Sequence, residues 1–332
     1  MGRITIKDIA RILEVSPSTV SRALKNHPDI SKARREHIQK IAKELGYTPN
    51  YQAIGFRNKK SGLIGLLIPD MNMYFFPFII KAVEENIRQK GYNLIVLHSN
   101  NRLETEIENV RICQRFGVEG ILVSLSSETQ SLDHFEQLEK HNIPVVYFDR
   151  ILEVPNKPLV VIDDVAAVRT ALEHLIGTGR KHIAGFFGNK HLTISKKRHQ
   201  GFISTLQKYN LTAPESFVQF AHNSAQAQAA TSALFNFESI PDAIFSMSDE
   251  LLVGIMQALQ QTNLKIPEDI AVITISNGVV PHFFTPSISF VEHSADKVGN
   301  LAANILFELL ETQPQEHYPR YIETQLVIRN ST

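Results

Sequence analysis

The chain has little cysteine and no long apolar run. These two features argue against a disulfide-bonded protein and against a membrane-spanning one. Its single cysteine among 332 residues, Cys113, excludes an internal disulfide and fits a reducing compartment. We interpret Cys113 as a buried residue of an amphipathic helix and not as a nucleophile. No stretch approaches the roughly 18 consecutive apolar residues of a membrane helix, and the first residues lack an apolar signal core. We therefore expect a cytoplasmic protein without a membrane span.

Catalytic signatures are also missing. The sequence contains no HExxH, P-loop, GxSxG or CxxC motif, and one cysteine leaves no thiolate metal site. Two carboxylate pairs occur, Asp163-Asp164 and Asp249-Glu250, but adjacent residues on a strand or helix point apart. Neither pair is therefore predicted to share one reacting centre. We expect no enzymatic activity, no metal and no cofactor.

The net charge of zero hides an uneven distribution. Residues 1–60 hold 13 Lys and Arg against 5 Asp and Glu, a net charge of +8. The remaining residues carry −8, because the whole chain balances 34 basic against 34 acidic residues. A compact basic segment on an acidic body is the electrostatic footprint of a nucleic-acid-binding end.

Two short helical patterns follow one another near the amino terminus. The first covers about Ile6–Leu13 and the second about Pro17–Lys25, each with apolar residues at the i, i+3, i+4 spacing of an amphipathic helix. Thr5 begins a capping box for the first pattern, and Ser16-Pro17 is a typical start for the second. Two helices this short and this close predict a helix-turn-helix, whose second helix lies in the major groove of DNA.

The outward face of the second helix carries hydroxyls and bases, which suit phosphates and base edges. The alternative is the solvated face of an ordinary small bundle, where a mixture of Glu and Lys is typical. Arg22 and Ser18 are expected to read bases. The predicted DNA contacts in this part of the chain are Thr5, Ser16, Pro17, Ser18, Thr19, Ser21, Arg22, Lys25, Ser31 and Tyr47.

These helices resemble the amino terminus of the LacI/GalR family of bacterial transcription regulators. The matching stretches are Ile6-Lys7-Asp8-Ile9-Ala10 and Val15-Ser16-x-Ser18-Thr19-Val20-Ser21-Arg22-Ala23-Leu24. Glu14 departs from the family, which usually has glycine there, and a left-handed conformation would cost a non-glycine residue about 1 kcal/mol. The resemblance implies a regulator, most simply a repressor, that binds double-stranded, pseudo-palindromic operator DNA under the control of a small-molecule effector.

A third helical pattern, about Lys32–Leu45, has Ser31 as its expected cap and completes a predicted head domain over residues 1–49. Residues 50–61 are too few for a stable isolated helix, and Gly55 costs a further ~1 kcal/mol relative to alanine. In the family this segment is a hinge helix that is ordered only on the operator. A flexible linker is the alternative interpretation.

The hinge resemblance implies further DNA contacts at Asn50, Ala53 and Phe56. Phe56 stands where the family commonly has leucine, at the position of a side chain that wedges between bases of the minor groove. Phenylalanine is also an intercalating wedge, so the implied role is kept.

From Leu63 onward, short β-rich runs alternate with helical patterns. Ten strands are predicted, at Leu63–Ile68, Asn93–Leu97, Gly120–Leu125, Val145–Phe148, Val160–Ile162, Ile183–Phe187, Phe217–Phe220, Ala243–Ser246, Ala271–Ile275 and Ser289–Val291. Apolar strands alternating with helices indicate parallel sheets covered on both faces, and ten strands favour two sheets over one. The predicted fold class is α/β, a small all-α helix-turn-helix head plus a bilobed doubly wound α/β body over residues 62–332.

The body also resembles the family, in the bilobed form shared with periplasmic sugar-binding proteins. Among the matching stretches are Pro144-Val145-Val146-Tyr147-Phe148-Asp149-Arg150 and Ile240-Pro241-Asp242-Ala243-Ile244-Phe245. The family's Gly-Phe-Asp is replaced by Thr274-Ile275-Ser276-Asn277, which changes the local pocket chemistry. The resemblance implies an effector that is a sugar or sugar derivative, and a homodimer. Because the sequence ends at Thr332 without a heptad segment, we expect dimers and not tetramers.

Ligands of doubly wound sheets bind at the carboxyl ends of the strands, where polar residues occur in this sequence. Carboxylates and a guanidinium suit sugar hydroxyls, and an aromatic face suits a sugar ring. The candidate effector residues are Asp70, Phe75, Phe76, Ser124, Asp149, Arg198, Asp249 and Asn277. The resemblance supplies Asp149, Arg198, Asp249 and the aromatic position.

Two alternatives stay open for single residues: Asp249 could cap its helix, and Asp149-Arg150 could be a structural ion pair. For the whole chain, the alternative is a soluble sugar-binding protein whose head binds no DNA. The charge of +8 on the head argues against that alternative. Salt-sensitive binding to operator-like DNA is expected of a regulator and not of a sugar-binding protein whose head binds no DNA.

Overall fold

The computed structural model describes residues 4–47, 61–236, 240–312 and 316–332. Its internal contacts divide the chain into two units, Met1–Ser61 and Gly62–Thr332. Most of the predicted hinge, with the expected DNA contacts Asn50, Ala53 and Phe56, lies outside the described residues.

Within residues 4–47, the first unit contains three helices: α1 Ile6–Ile12, α2 Pro17–Leu24 and α3 Lys32–Glu44. Each predicted helix is confirmed and ends one residue earlier than expected. The apolar stripes of the three helices meet in one small core, as amphipathic helices require. Its buried members are Ile9, Ala10, Val20, Ala23, Ile38 and Ala42.

Capping explains where the first two helices begin. The Thr5 hydroxyl accepts from the Asp8 amide at 3.3 Å, and the Thr5 amide donates to the Asp8 carboxylate at 3.0 Å, which is the predicted capping box. Ser16 Oγ accepts from the amide of Thr19 at 3.1 Å. Ser31 was expected to cap α3 and does not, since its side chain makes no cap hydrogen bond within the described part of the chain. Ser31 is exposed, so water can satisfy those amides instead.

The turn between α1 and α2 passes through Glu14, whose φ is 51°. This is the left-handed conformation for which glycine is preferred. The sequence therefore keeps the strained turn without the residue that relieves it, at a cost on the order of 1 kcal/mol.

The described residues of the second unit contain twelve strands and eight α-helices. The strands are β1 Leu63–Ile68, β2 Asn93–His98, β3 Gly120–Val123, β4 Val145–Phe148, β5 Leu159–Ile162, β6 Ile183–Phe187, β7 Val218–Phe220, β8 Ala243–Ser246, β9 Ala271–Ser276, β10 Ser289–Glu292, β11 Arg320–Ile322 and β12 Leu326–Val327. The helices are α4 Phe76–Gln89, α5 Leu103–Phe116, α6 Asp133–Lys140, α7 Asp164–Gly177, α8 Thr193–Lys208, α9 Ser224–Leu234, α10 Asp249–Leu259 and α11 Ala295–Thr312.

The strands form two six-stranded sheets, of order β11-β5-β4-β3-β1-β2 and β12-β10-β9-β8-β6-β7. Neighbouring strands are parallel except for β10 and β12, which are antiparallel. The ten predicted strands and the two doubly wound sheets are confirmed. The sequence pattern missed β11 and β12, because both are short and lack a run of buried residues.

Strand β1 shows why these sheets are covered on both faces. Ile64, Leu66 and Ile68 belong to one buried cluster, whereas Leu67, on the opposite face, belongs to a second. A strand that buries both faces has a continuous apolar run in its sequence, which is typical of parallel sheets.

The chain crosses between the sheets three times, after β5, after β10 and after β11. After β10, helix α11 returns to pack on α4, where a Cβ at Gly299 would lie 3.0 Å from the Cβ of Ala82. Each sheet therefore presents the carboxyl ends of its parallel strands to a cleft that the crossing segments border. Within the described residues, no helix is long and apolar enough to cross a lipid bilayer.

Candidate functional site

The amino-terminal turn of α2 is a polar surface. Ser16, Pro17 and Ser18 are exposed, as are Arg22 and Lys25 one and two turns further on. The Ser16 hydroxyl lies 2.7 Å from that of Ser18. Backbone amides at a helix amino end and a cluster of hydroxyls suit a phosphate oxygen.

Arg22 is the exposed guanidinium of α2. Its Nη1 lies 3.7 Å from the Asp29 carboxylate, and both side chains are more than half exposed, at 54% and 60%. A contact this long and this exposed to solvent holds the side chain weakly, so Arg22 remains available to another partner.

The other predicted contacts of the head occupy different surroundings. Thr5 is exposed at the start of α1, although its hydroxyl already serves the capping box. Thr19 and Ser21 are half-buried, and Ser31 is exposed before α3. Tyr47 is half-buried and packs against the small core of the head, which limits the part of its ring that DNA could reach.

A cavity of about 680 Å³ lies in the cleft of the second unit. Seven of the eight predicted effector residues line it: Asp70, Phe75, Phe76, Asp149, Arg198, Asp249 and Asn277. Arg198 lies within α8, and the others come after the carboxyl ends of strands in both sheets. The remaining prediction, Ser124, does not line the cavity.

Ser124 is buried behind Asp149. Its hydroxyl donates to Asp149 Oδ2 at 3.4 Å, and the same hydroxyl accepts from the Arg150 amide at 3.4 Å. Ser124 directly follows β3 by sequence, but its side chain supports the loop after β4 and does not face the cavity.

Arg198 is anchored beneath the cavity by a buried ion pair. Its Nε donates to Asp164 Oδ1 at 2.8 Å, and its Nη1 donates to the carbonyl oxygen of Met247. Burial raises the pKa of the Asp164 carboxyl, and the Arg198 charge opposes that rise. The second terminal nitrogen, Nη2, is buried and finds no hydrogen-bond partner in the described part of the chain.

Asp249 is the first residue of α10, but it does not cap the helix. Its carboxylate interacts with the Ser276 hydroxyl and the Asn277 amide, at the end of β9. Burial raises the pKa of the Asp249 carboxyl to about 7. Oδ1 of Asp249 lacks a hydrogen-bond partner among the described residues. Within the ranges that the structure describes, the helix has Ser248 as its N-cap and no side-chain cap hydrogen bond, so the capping alternative is wrong, and Asp249 lines the cavity.

Asp149 follows β4 directly and has a φ of 56°. Burial raises the pKa of its carboxyl to about 6, which the Arg150 charge partly opposes. Arg150 donates to the amide oxygen of Asn101 at 2.7 Å and to the sulfur of Met73. The two neighbours therefore interact through their charges, while the guanidinium makes its hydrogen bonds elsewhere.

His293 was missed by the sequence analysis. It follows β10, lines the cavity and packs its ring against Phe75, with ring centroids 4.5 Å apart. Burial, with a smaller contribution from Arg198, lowers the pKa of His293 to about 3, so the imidazole is neutral. Its Nε2 is buried and has no hydrogen-bond partner within the described ranges. Its position after a strand, like that of Asp149, was the signal that could have identified it.

Arg198 Nη2, Asp249 Oδ1 and His293 Nε2 are hereafter the open polar atoms. Phe75 supplies an apolar wall beside them, whereas Phe76 is fully buried at the start of α4. A buried polar group without a partner costs about 1–3 kcal/mol. Three such atoms at one cavity indicate a site completed by a polar ligand.

Among the described residues, two hydrogen bonds to the peptide groups of Tyr74 join the lobes across the cleft, as does the ion pair of Lys197 with Glu153 at 2.6 Å. The Tyr74 amide donates to Glu250 Oε1 at 2.9 Å, and Asn277 Nδ2 donates to the Tyr74 carbonyl at 3.4 Å. The segment after β1 is thus held directly by residues after β8 and β9. No group of three or more metal-ligating side chains occurs within the described residues.

Comparison with known proteins gives concordant matches for both parts of the chain. Residues 5–50 match the profile of bacterial regulatory proteins of the lacI family, and residues 172–332 match that of a periplasmic binding protein-like domain. The ribose operon repressor of Halalkalibacterium halodurans is 31% identical over 328 residues, which cover 99% of this chain and 97% of that protein.

Solved structures match the fold over nearly the whole chain. The Lac repressor dimer bound to operator and the anti-inducer ONPF has a TM-score of 0.89 at 20% identity, covering 99% of both chains. The complex of the transcriptional regulator CelR with cellobiose has a TM-score of 0.75 at 24% identity, covering 99% of this chain and 100% of that one. The predicted fold class is confirmed.

Proposed function

Because this chain belongs to the lacI family of bacterial regulatory proteins, we propose that a sugar or sugar derivative in its cleft controls how tightly its head binds operator DNA. The chain is a DNA-binding transcriptional regulator whose body binds a small-molecule effector. The nature of the effector, the residues that hold it and the contacts of the head are the proposed parts.

The open polar atoms carry the proposal of a sugar. Arg198 Nη2 needs an acceptor, Asp249 Oδ1 needs a donor, and neutral His293 can serve as either. A hydroxyl both donates and accepts, so neighbouring hydroxyls on one ring can satisfy all three atoms. The exposed part of the Phe75 ring suits the apolar face of a sugar. The cellobiose bound to the related fold of CelR supports the same class of ligand.

The proposed DNA contacts lie on the polar surface of α2. Arg22 and Ser18 read base edges, while the remaining candidates of the head contact the phosphates. We place the head at residues 1–49, the hinge at residues 50–61 and the body at residues 62–332. A homodimer would present two heads to the half-sites of a pseudo-palindromic operator, as protein two-fold symmetry requires.

We place the protein in the cytoplasm, where bacterial DNA lies, and assign it no catalytic reaction. The Asp249-Glu250 pair supports that assignment. Glu250 accepts from Tyr74 across the cleft, whereas Asp249 faces Ser276. The two carboxylates serve different partners and do not form an acid–base pair.

The test measures DNA and effector binding on the same full-length protein. Operator sequences are selected from a random duplex library, and their affinity is followed by fluorescence anisotropy at several salt concentrations. A panel of sugars is then added. We expect sequence-specific, salt-sensitive binding and at least one sugar that changes the operator affinity tenfold or more, on the order of 1.4 kcal/mol of coupling.

His293→Leu removes one open polar atom and keeps an apolar partner for Phe75. This variant should bind the operator normally and respond to about tenfold higher concentrations of the active sugar. The matched control is His222→Leu, at an exposed histidine on the rim of the cavity. DNA binding that ignores sequence and salt would overturn the role of the head. A panel in which no sugar alters operator affinity would overturn the role of the cleft.

A further inference from the structure

Charge in the cleft is strongly unbalanced. Four carboxyl groups line the cavity, against two guanidinium groups: Asp70, Asp149, Asp249 and Glu250 face Arg150 and Arg198. Asp164 adds a fifth carboxyl group directly behind Arg198. A cavity with this surplus favours a ligand that brings positive charge and disfavours one that brings negative charge.

Neither guanidinium is free to receive an anion. Arg198 is paired with Asp164, and the charge of Arg150 interacts with Asp149, Glu250 and Asp70. The open nitrogen of Arg198 therefore needs a neutral acceptor, such as a hydroxyl. A phosphate or carboxylate on the ligand would meet the surrounding carboxylates without an uncompensated cation to bind.

Asp249 has weaker compensation, because the Arg198 charge that acts on it has a small effect and is already paired with Asp164. It is 6% exposed, its Oδ1 is one of the open polar atoms, and the neighbouring Glu250 adds a like charge. The Ser276 hydroxyl and Asn277 amide favour its ionised form, but neither brings a positive charge. A neutral hydroxyl would satisfy the hydrogen bond but would add no positive charge to the weak compensation from Arg198.

We propose that the effector is an aminated carbohydrate whose protonated amine binds Asp249 Oδ1 and whose hydroxyls bind the open atoms of Arg198 and His293. This inference rests on the proposed function, since it names the class of sugar that the same cleft accepts. Neutral His293 is compatible with an ammonium group nearby, because burial keeps its pKa near 3 and removes the repulsion that an imidazolium would exert. The negative cleft also attracts a cationic ligand during association.

The experiment compares matched ligands that differ only in the amine. Thermal shift and calorimetry are run with D-glucosamine, D-glucose and N-acetyl-D-glucosamine, with the corresponding galactose series, and with glucose 6-phosphate. The pH is chosen so that the amines are protonated. We expect at least one amine to bind about tenfold or more tightly than its hydroxyl and N-acetyl counterparts, and we expect no binding of the phosphate.

Asp249→Asn removes the charge with little change of shape and should abolish the preference for the amine while neutral sugars still bind. Asp133→Asn is the matched control, at an exposed aspartate that does not line the cavity, and it should keep the preference. Circular dichroism and operator binding verify that both variants fold.

The inference is overturned if the hydroxyl or N-acetyl sugar binds as tightly as the amino sugar in every series, or if no amino sugar binds. It is also overturned if Asp249→Asn still binds the amino sugar more tightly. These outcomes are distinct from failure of the proposed function. If a neutral sugar binds and changes operator affinity, the proposed function as a sugar-controlled regulator is supported, and only the requirement for an amine is wrong. If no sugar of either kind changes operator affinity, the proposed function fails first.

Discussion

Arg198 and Asp164 form a buried ion pair at the base of the cleft, with 2.8 Å between Nε and Oδ1 and side chains that are 3% and 8% exposed. They lie on the consecutive helices α8 and α7. The pair fixes the guanidinium of a residue that lines the cavity. A residue that we propose to bind effector is thus also a residue that stabilises the lobe, and substitutions there should affect both properties.

Arg198→Ala should abolish effector binding and lower the free energy of unfolding by about 3–5 kcal/mol, because it leaves the Asp164 charge buried and unpaired. Urea denaturation measures the loss. The control is Arg88→Ala, which breaks an exposed pair with Glu84 on α4 and should cost about 0–1 kcal/mol. The double variant Arg198→Met with Asp164→Leu should recover much of the stability without recovering effector binding. A single variant as stable as the control would contradict this account.

Asp249→Asn should stabilise the effector-free protein, and increasingly so as the pH rises. Because the pKa of Asp249 is raised from its ordinary value of 3.8 to about 7, the wild-type carboxyl contributes stability at low pH that is lost as the pH rises through about 7. Asparagine avoids that loss. The difference in the free energy of unfolding between the variant and the wild type therefore grows from about pH 4 to about pH 7 and is at most about 4 kcal/mol. Unfolding measured on both sides of this window tests the sign.

Asp149→Asn is the companion to that variant. The pKa of Asp149 is raised to about 6. The stability difference between the variant and the wild type should therefore have the same sign and reach its full size at a lower pH, about 6. Asparagine also tolerates the left-handed φ of 56° at this position. A stability difference that falls with rising pH in either variant would contradict the conclusion that burial raises the pKa of these carboxyl groups.

Arg22→Ala should weaken binding to the selected operator by about 1–3 kcal/mol and relax the preference at one base pair. Lys7→Ala should instead weaken all sequences similarly and reduce the salt dependence, as expected for a phosphate contact. Competition among randomised duplexes distinguishes the two. Asp29→Asn should tighten DNA binding, because the Asp29 carboxylate lies 3.7 Å from Arg22 and repels the phosphates. Unchanged base preference in Arg22→Ala would mean that another residue of α2 reads the base.

Removing the two hydrogen bonds to Tyr74 should favour opening of the cleft, which the ion pair of Lys197 with Glu153 still spans. In Glu250→Ala combined with Asn277→Ala, the peptide groups of Tyr74 lose both side chains that hold them. The effector-free protein should then show a larger radius of gyration by small-angle X-ray scattering, and the effector should bind more weakly because closure is no longer favoured beforehand. Asn72→Ala, which affects a contact within one lobe only, is the control. Equal radii for the variant and the control would show that these two bonds do not hold the cleft closed.

Local patterns were sufficient for the elements of this fold. The helices of the head follow from caps and apolar spacing within a few residues, such as Thr5 with Asp8, so short-range physics decides them. Strands such as β1, buried on both faces, read as apolar runs and predict parallel sheets. The missed strands β11 and β12 have no such run, since they are held by pairing with β5 and β10 from distant parts of the chain.

The sequence by itself determined the fold class, the basic head and seven of the residues that line the cavity, because these depend on periodicity, composition and strand ends. The tertiary structure alone decided which of those residues face the cavity. Tyr74 and Glu250 meet although 176 positions separate them, Ser124 is turned behind Asp149, and His293 lies against Phe75. Such pairings depend on how two sheets and three crossings are arranged in space. No local pattern encodes that arrangement, because the contacting groups are neighbours only after folding.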